Sequence, residues 1–183
     1  MKICMIGTGY VGLVSGTCFA DIGNQVYCVD KDKEKINKLN SGISPIYEPG
    51  LDELIQKNFK AKRLFFTTDL KKGINESDII FICVGTPNIK GSLKVNLSFV
   101  YKCTKEILTI TKKKKIIVTK STVPVGTGDI IEKILKKKKK LFSVISNPEF
   151  LREGEAIRDF RYPDRIVIGS NNKNEFKLMQ KLY

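Results

Sequence analysis

Apolar residues in this chain form short runs separated by longer stretches with helical spacing. The runs that favour β-strands cover residues 3–6, 26–29, 64–66, 79–84, 116–119, 142–145 and 166–168. Between them, helical patterns cover residues 13–22, 51–59, 97–111 and 129–139, and a last one covers 174–182. Strands that alternate with helices in this way predict an α/β protein with a doubly wound, mostly parallel sheet. With neither an internal repeat nor a linker, the 183 residues are expected to form one domain.

The first run leads into a glycine-rich turn, GTGYVG at residues 7–12, and then into an apolar helix. Gly7 permits the tight turn, Gly9 lets the backbone approach a pyrophosphate, and Gly12 lets the helix pack closely on the sheet. The helix N-terminus offers free N–H groups to the phosphates. The second strand ends in Asp30, whose carboxylate can accept hydrogen bonds from ribose hydroxyls and repel a 2′-phosphate. This order predicts a Rossmann-like dinucleotide site that prefers NAD to NADP.

Three later strand ends carry further candidate chemistry. They run into GTP at residues 85–87, KSTVPVGTG at 120–128 and SNPEFLREG at 146–154. Each stretch alone also fits an ordinary turn, because Gly, Pro, Ser and Thr are common loop residues. Open α/β sheets, however, bind ligands outside the carboxyl ends of their strands. Three such ends in succession, two with hydroxyls and one with paired acids, therefore predict a shared site.

Composition narrows the chemistry of that site. The chain has no histidine, which excludes Ser–His and Cys–His nucleophile pairs and removes the commonest metal ligand. Proton transfer must then fall to carboxylates, lysines, hydroxyls or water, and we predict no metal. The cysteines lack C-x-x-C spacing and fall in apolar segments, so we expect buried free thiols. They are Cys4, Cys18, Cys28, Cys83 and Cys103.

The net charge of +14 raises nucleic acid as a partner, but its distribution argues against one. Most of the excess lies in two lysine runs, at residues 112–115 and 136–140, each between a helix and a strand. In a parallel sheet, a segment between a helix and the next strand lies at the amino ends of the strands, opposite the ligand crevice. We therefore expect these lysines to be solvated surface and predict no nucleic-acid partner. No apolar run approaches the ~20 residues of a membrane span, and no signal peptide is recognisable. We therefore expect a cytoplasmic protein without a membrane partner.

At these motifs the chain closely resembles the UDP-glucose/GDP-mannose dehydrogenase family. The resemblance runs from the glycine turn through PIYEPGL at residues 45–51 and STVPVGT at 121–127 to NPEFLREG at 147–154 and PDRIVIG at 163–169. The last two motifs are more similar to the UDP-glucose branch than to the GDP-mannose or UDP-N-acetylmannosamine branches. This resemblance implies that NAD oxidises a hydroxymethyl group of UDP-glucose twice to give UDP-glucuronate, through a thiohemiacetal and a thioester on a cysteine.

The resemblance also implies residue roles. The cofactor would be held by Gly7, Gly9, Val11, Gly12, Asp30, Lys35, Thr86, Thr122 and Glu153. The substrate would be held by Glu149, Phe150, Leu151, Arg152 and Glu153. The catalytic residues would be Thr122, Glu149 and Glu153, with Glu149 and a water held by the other two handling protons. On their own, two glutamates four residues apart would also fit a solvated helix face.

Other parts of the family pattern have no counterpart among these residues. In the family the nucleophilic cysteine lies in a GGSCFPKD-like segment, beyond a long central helix that carries a catalytic lysine and asparagine and builds the dimer. We therefore expect residues 1–183 to be an NAD-binding domain truncated before that helix and the C-terminal UDP-binding domain, with the homodimer lost and no activity alone. Asn96 also replaces an expected acid in a lengthened loop.

Two kinds of function remain open from the sequence. In the first, the chain is the cofactor half of a UDP-glucose dehydrogenase, with a C-terminal half as a possible partner in trans. In the second, it is a non-catalytic module that binds NAD or a UDP-sugar. A related dehydrogenase acting on GDP-mannose or UDP-N-acetylmannosamine is the alternative within the first kind.

Overall fold

The computed structural model describes residues 1–92 and 94–183. Its strands are β1 (Lys2–Ile6), β2 (Gln25–Val29), β3 (Leu64–Thr67), β4 (Ile79–Ile82), β5 (Lys115–Thr119), β6 (Phe142–Ser146) and β7 (Gly169–Ser170). Its helices are α1 (Tyr10–Asp21), α2 (Lys33–Asn40), α3 (Leu51–Lys60), α4 (Leu70–Asn75), α5 (Ser98–Ile110), α6 (Thr127–Leu135), α7 (Ala156–Arg161) and α8 (Lys173–Leu182). A short 3-10 helix, Lys136–Leu141, joins α6 to β6.

The strands form one sheet in the order β3-β2-β1-β4-β5-β6-β7. The pairs from β3 to β6 are parallel, and β7 is antiparallel to β6. The doubly wound, mostly parallel sheet predicted from the alternating pattern is therefore confirmed. The chain leaves β1 in one direction and returns to its other side with β4, so the order reverses between these two strands. Ligands of such sheets bind at the carboxyl ends of the strands beside this reversal.

Helices cover both faces of the sheet, which explains why the central strands are continuous apolar runs rather than alternating ones. On one face Met5 and Phe19 belong to a core that includes residues of α1, α2, α3, α7 and α8. On the other face Cys4 and Ile80 pack with residues of α4, α5 and α6. Phe19 has its ring centroid 4.9 Å from that of Phe160 and so links α1 to α7. This packing fixes α1, and with it the glycine turn, against the sheet.

Two predicted elements differ from the structure. The strand predicted over 166–168 is wrong, because pairing with β6 begins only at Gly169 and residues 166–168 have no partner strand. The helix predicted over 129–139 ends as an α-helix at Leu135. Within the 3-10 helix that follows, Lys138 leaves the helical region, with φ −126° and ψ 35°. Its ammonium donates instead to the carbonyls of Leu108 and Thr111, at 2.9 and 3.0 Å.

Both lysine runs lie at the amino ends of β5 and β6, opposite the predicted ligand edge. Lys112, Lys113 and Lys114 are exposed as expected. The prediction of solvated surface is wrong for Lys115, which is only 4% exposed. Its ammonium donates to the carbonyl of Ser77, and burial lowers its pKa. Along the described residues, none of the helices is both long and apolar enough to cross a membrane.

Candidate functional site

The glycine turn at the end of β1 leaves room for a ligand at one position and none at the other two. Gly7 has φ +101°, and a Cβ there would lie 2.6 Å from the carbonyl oxygen of Cys83. A Cβ on Gly12 would lie 1.9 Å from the carbonyl oxygen of Gly7. Above Gly9 no atom lies within 4 Å of the Cβ position, and no side chain caps α1. The turn thus presents bare backbone and an uncapped helix N-terminus, which fits a dinucleotide pyrophosphate.

Asp30 follows β2 and is tied to this turn. Its Oδ2 accepts hydrogen bonds from the N–H and hydroxyl of Thr8, both at 2.8 Å, and from the Lys35 ammonium at 3.2 Å. Its Oδ1 accepts only the N–H of Asp32, at 3.1 Å. Burial alone would raise the pKa of Asp30, but the donors from Thr8, Asp32 and Lys35 lower it below its ordinary value. Oδ1 therefore keeps acceptor capacity for a ribose hydroxyl.

The loops after β4 and β5 meet at two threonines. The Thr86 hydroxyl donates to the carbonyl of Thr122 at 3.0 Å. The neighbouring Ser121 hydroxyl donates to the carbonyl of Val84 at 2.7 Å. These bonds join the two strand ends and bring together two of the three loops predicted to share a site. Val11 lies in the first turn of α1 and is partly exposed.

The loop after β6 places its two glutamates differently. Glu149 is only 13% exposed and forms an ion pair with Lys120. Glu153 is exposed and lies in a turn before α7. Residues 147–152 contain no helical residue, so the alternative of a solvated helix face does not hold for this pair. The structure thus turns Glu149 inward and leaves Glu153 at the surface.

A cavity of about 720 Å³ opens beside this loop. Glu149, Phe150, Leu151 and Arg152 line it, whereas Glu153 does not. Arg152 binds both oxygens of Asp159, at 2.6 and 3.0 Å, and this pairing lowers the pKa of Asp159 to about 2. Arg158 and Arg165 line the same cavity. Glu149, Asp159 and Asp164 line it too, so the cavity wall carries charges of both signs.

Sequence reasoning missed the contact that joins the glycine turn to the β6 loop. Glu48 is only 6% exposed, and its Oε2 accepts the Tyr10 hydroxyl and the N–H of Gly154, the latter at 2.8 Å. Its Oε1 accepts the N–H of Ile157 at 3.2 Å. Burial and the bond to Glu48 raise the pKa of Tyr10 to about 12. Glu48 lies in the PIYEPGL motif, which marked the segment but gave no role for it.

A second cluster that the sequence did not reveal surrounds Lys120, the first residue after β5. Its ammonium contacts the hydroxyl of Tyr183 at 2.8 Å, the side-chain oxygen of Asn147 at 3.3 Å, and Glu149. The Tyr183 hydroxyl in turn donates to Asn147 at 2.6 Å. The contacts span up to 63 positions along the chain, so no local spacing could have indicated them.

The cysteines are all buried and unpaired, as predicted. Burial raises the pKa of Cys18, Cys83 and Cys103 to about 12. Burial also raises the pKa of Cys4 and Cys28. Because the thiolate is the nucleophilic form, these residues do not offer a reactive thiol to the cavity. Among the described residues, no group of three His, Cys, Asp or Glu side chains could hold a metal ion.

Comparisons with known proteins agree over the whole chain. The sequence model of the UDP-glucose/GDP-mannose dehydrogenase family, NAD binding domain, matches residues 1–183. A UDP-glucose 6-dehydrogenase from Rhizobium meliloti is 56% identical over 171 residues, which cover 92% of this chain and 39% of that protein. One from Bacillus subtilis is 50% identical over 185 residues, which cover 100% of this chain and 40% of that protein. The chain therefore spans about 40% of the length of these relatives.

Solved structures give the same result. A GDP-mannose dehydrogenase from Pseudomonas aeruginosa matches with a TM-score of 0.93 and 39% identity, over 100% of this chain and 44% of that one. A UDP-glucose dehydrogenase from Pyrobaculum islandicum matches with a TM-score of 0.92 and 34% identity, over 99% of this chain and 43% of that one. Residues 1–183 correspond to the NAD binding domain of these dehydrogenases, and the chain belongs to the UDP-glucose/GDP-mannose dehydrogenase family.

Proposed function

We propose that this chain is the NAD-binding, N-terminal portion of a UDP-glucose 6-dehydrogenase, which converts UDP-glucose to UDP-glucuronate in two oxidations. The observation that carries the proposal is the direct contact between the cofactor turn and the loop of the cavity. The Gly154 N–H donates to the Tyr10 hydroxyl at 2.6 Å, so the loop that carries cavity residues 147–152 is tied to the glycine turn. That arrangement suits an enzyme in which a sugar must lie against the reactive end of a dinucleotide.

On the cofactor side, the proposed roles follow from the geometry. NAD, when bound, supplies the hydride acceptor for each oxidation. The glycine turn, with Gly7, Gly9, Val11 and Gly12, would hold the pyrophosphate, which would lie over the open position at Gly9. Asp30 would accept the ribose hydroxyls through Oδ1, with Lys35 fixing its other oxygen. Thr86 and Thr122 would line the path toward the nicotinamide, and Glu153 would reach the cofactor from the cavity loop.

On the substrate side, we propose that residues 149–153 follow the sugar and its diphosphate. Glu149 lies at the cavity wall and would accept a proton from the hydroxyl being oxidised. Thr122 and Glu153 would hold the water needed for hydrolysis. Arg152 would reach the ligand only from its position beside Asp159, since its guanidinium is paired there. These assignments fit a site without histidine, in which carboxylates must carry protons.

The second oxidation requires a nucleophilic cysteine, and we propose that residues outside these 183 supply it. The proposal includes a C-terminal portion that brings the nucleophile, binds UDP and forms the family homodimer, either on the same chain or in trans. The chain alone would then be inactive, and the alternative of a non-catalytic NAD-binding module would be correct only if no such portion exists. We also propose a cytoplasmic location, which the unpaired thiols support.

The sugar nucleotide has a second candidate, because a GDP-mannose dehydrogenase shares the fold with a TM-score of 0.93. We favour UDP-glucose on the basis of the two UDP-glucose 6-dehydrogenases that are 56% and 50% identical to this chain over the matched residues.

A chimera provides the experiment. These 183 residues would replace the matching segment of the Rhizobium meliloti UDP-glucose 6-dehydrogenase, and NADH and UDP-glucuronate would be measured with UDP-glucose or GDP-mannose as substrate. We expect two NADH per UDP-glucose, and none from the unfused chain. A folded chimera that binds NAD but leaves UDP-glucose unoxidised, or that oxidises GDP-mannose instead, would contradict the proposal.

A further inference from the structure

Lys120 is a buried cation at the wall of the candidate substrate cavity, and none of the predicted roles uses it. Its side chain is only 2% exposed, and it begins the loop after β5. Burying an ammonium group is unfavourable unless hydrogen-bond acceptors and an opposite charge compensate it. Lys120 has both, from Glu149, Asn147 and Tyr183.

The three donors of this ammonium are all engaged. Glu149, Asn147 and Tyr183 each accept one contact, and an ammonium group has three N–H donors. Lys120 therefore has no donor left for a sugar or a cofactor. In this arrangement Lys120 can influence a ligand through its partners.

Glu149 is the partner of Lys120 that keeps a hydrogen-bond acceptor site for a ligand. Its Oε2 takes Lys120 and the hydroxyl of Ser15, the latter at 3.3 Å, while its Oε1 takes the N–H of Phe150 at 2.8 Å. A carboxylate has about four acceptor sites, so one on Oε1 remains. Contacts from Lys120, just after β5, and from Ser15 of α1 thus hold Oε2, and Oε1, which takes the Phe150 N–H, keeps an acceptor site for a ligand.

We infer that Lys120 is a positioning residue that holds the Glu149 carboxylate in one orientation, with a single acceptor site left toward the cavity. This inference rests on the proposed role of Glu149 as proton acceptor. Asn147 and Tyr183 complete the hydrogen-bonded cluster around Lys120. The Tyr183 hydroxyl donates to Asn147 at 2.6 Å, and both residues accept from Lys120. Asn147 is itself fixed by donating to the carbonyl of Val167 at 2.9 Å.

The pKa directions agree with this geometry. Burial would lower the pKa of Lys120, but Tyr183 and Glu149 raise it above its ordinary value. Burial raises the pKa of Tyr183. Near neutral pH the cluster therefore contains a charged lysine and a neutral tyrosine, which is the state in which the hydrogen bonds described above can form.

Lys115, at the start of β5, offers a matched control for Lys120. Lys115 begins β5 at the opposite edge of the sheet, is 4% exposed, and binds the carbonyls of Ser77 and Asn75 rather than a carboxylate. Lys115→Met and Lys120→Met each remove a buried ammonium group, one at the start of β5 and one just after its end. Both variants are expected to lower stability, but only Lys120→Met should affect Glu149.

The experiment measures the side-chain rotamers of Glu149 by three-bond NMR couplings in the free protein, with neither NAD nor sugar present. Wild type and Lys115→Met should show one χ1 rotamer, and Lys120→Met should show averaged couplings. Averaged couplings in wild type, or one unchanged rotamer in folded Lys120→Met, would overturn the inference.

If Lys120→Met does not fold, an NMR measurement on the wild-type protein tests the inference instead. The Lys120 ammonium protons should then be visible near neutral pH, because burial slows their exchange, and should give cross-peaks to Glu149. Their absence would overturn the inference. Because no ligand takes part, a negative result here leaves the chimera assay untouched, and a chimera that fails to oxidise UDP-glucose does not change the rotamer result.

Discussion

Glu48 and Gly154 are 106 positions apart in the chain and are joined by a hydrogen bond of 2.8 Å from the Gly154 N–H to Glu48 Oε2. The same carboxyl group receives the Tyr10 hydroxyl and the Ile157 N–H. One buried side chain thus connects the start of α1, the loop before α3 and the start of α7. The relative position of the cofactor turn and the cavity loop depends on it.

Replacing Glu48 with alanine should therefore destabilise the protein and loosen the cavity loop. The change leaves the Tyr10 hydroxyl and the Ile157 N–H without their acceptor, while the Gly154 N–H keeps its bond to Tyr10. We expect this to cost about 2–4 kcal/mol in the free energy of unfolding. Urea denaturation measures the loss, and hydrogen exchange of residues 153–157 locates it. Glu53→Ala, at an exposed position in the first turn of α3, is the control and should cost less than about 1 kcal/mol. Equal losses in the two variants would show that the Glu48 contacts contribute nothing specific.

How far sequence reasoning reached is clearest at Asp30 and Glu48. Asp30 was predictable because it ends a strand at a fixed distance from a glycine turn, and both signals are local. The structure adds that Asp30 also holds Thr8, with two bonds of 2.8 Å. Glu48 was not predictable as a connector, because each of its partners lies on another part of the chain and depends on the folded arrangement of three loops.

The predictions that failed, for Lys115 and for residues 166–168, are wrong for the same physical reason. Lys115 belongs to a run of four lysines, and composition predicts solvent for all of them. The fold buries this one because it begins β5 beside the carbonyl groups at the end of α4. The strand predicted over 166–168 was apolar and β-branched, but a strand also needs a partner, and β6 offers one only from Gly169 onward. Local sequence preference indicated an exposed lysine and a strand. Tertiary contacts instead bury Lys115 and leave residues 166–168 without a partner strand.

The pair formed by Arg152 and Asp159 gives a prediction about pH. Hydrogen bonds from Arg152 lower the pKa of Asp159 to about 2, below the ordinary value of about 3.9. A carboxyl group whose pKa is lowered by folding stabilises the protein above its unfolded pKa, and that contribution is lost as the pH falls from about 4 toward 2. Carboxyl-carbon NMR should find a midpoint near 2 in wild type and a higher midpoint in Arg152→Met, which loses the guanidinium but keeps the backbone N–H of residue 152 as a donor.

Arg161→Met serves as its control, because Arg161 pairs with Asp21 instead. It should leave the titration of Asp159 unchanged. An ordinary midpoint for Asp159 in the wild-type protein would mean that Arg152 is free in solution and available to a ligand from the start.

The lysines before β6 are expected to have no part in cofactor binding. Replacing Lys137, Lys139 and Lys140 with glutamine should change NAD affinity by less than about twofold, since these exposed charges lie at the sheet edge opposite the glycine turn. Lys138 is kept because its ammonium binds two carbonyl groups. Binding of wild type to random DNA should be weak and should collapse as salt rises, because counterion release alone drives it. Sequence-selective DNA binding that persists at ~200 mM salt would refute this interpretation.

A control variant at Asp69 separates the role of Asp30 in cofactor binding from the general effect of removing a carboxylate after a strand. Asp69 follows β3 much as Asp30 follows β2, and it caps α4 by accepting the N–H of Lys72 at 3.0 Å. Asp69→Ala should cost about 1 kcal/mol of stability and leave cofactor affinity intact. Asp30→Ala should weaken NAD binding by about ten- to a hundredfold, the equivalent of roughly 1.5–3 kcal/mol for hydrogen bonds to a charged acceptor.

Calorimetric titration of the chain with NAD and with NADP is the most direct test of the central claim, that the glycine turn and Asp30 form an NAD site. The wild-type protein and Asp69→Ala should bind NAD more tightly than NADP, and Asp30→Ala should lose most of its NAD affinity. Equal affinity of the wild-type protein for the two cofactors, or an Asp30→Ala variant that binds NAD as well as wild type, would contradict the account.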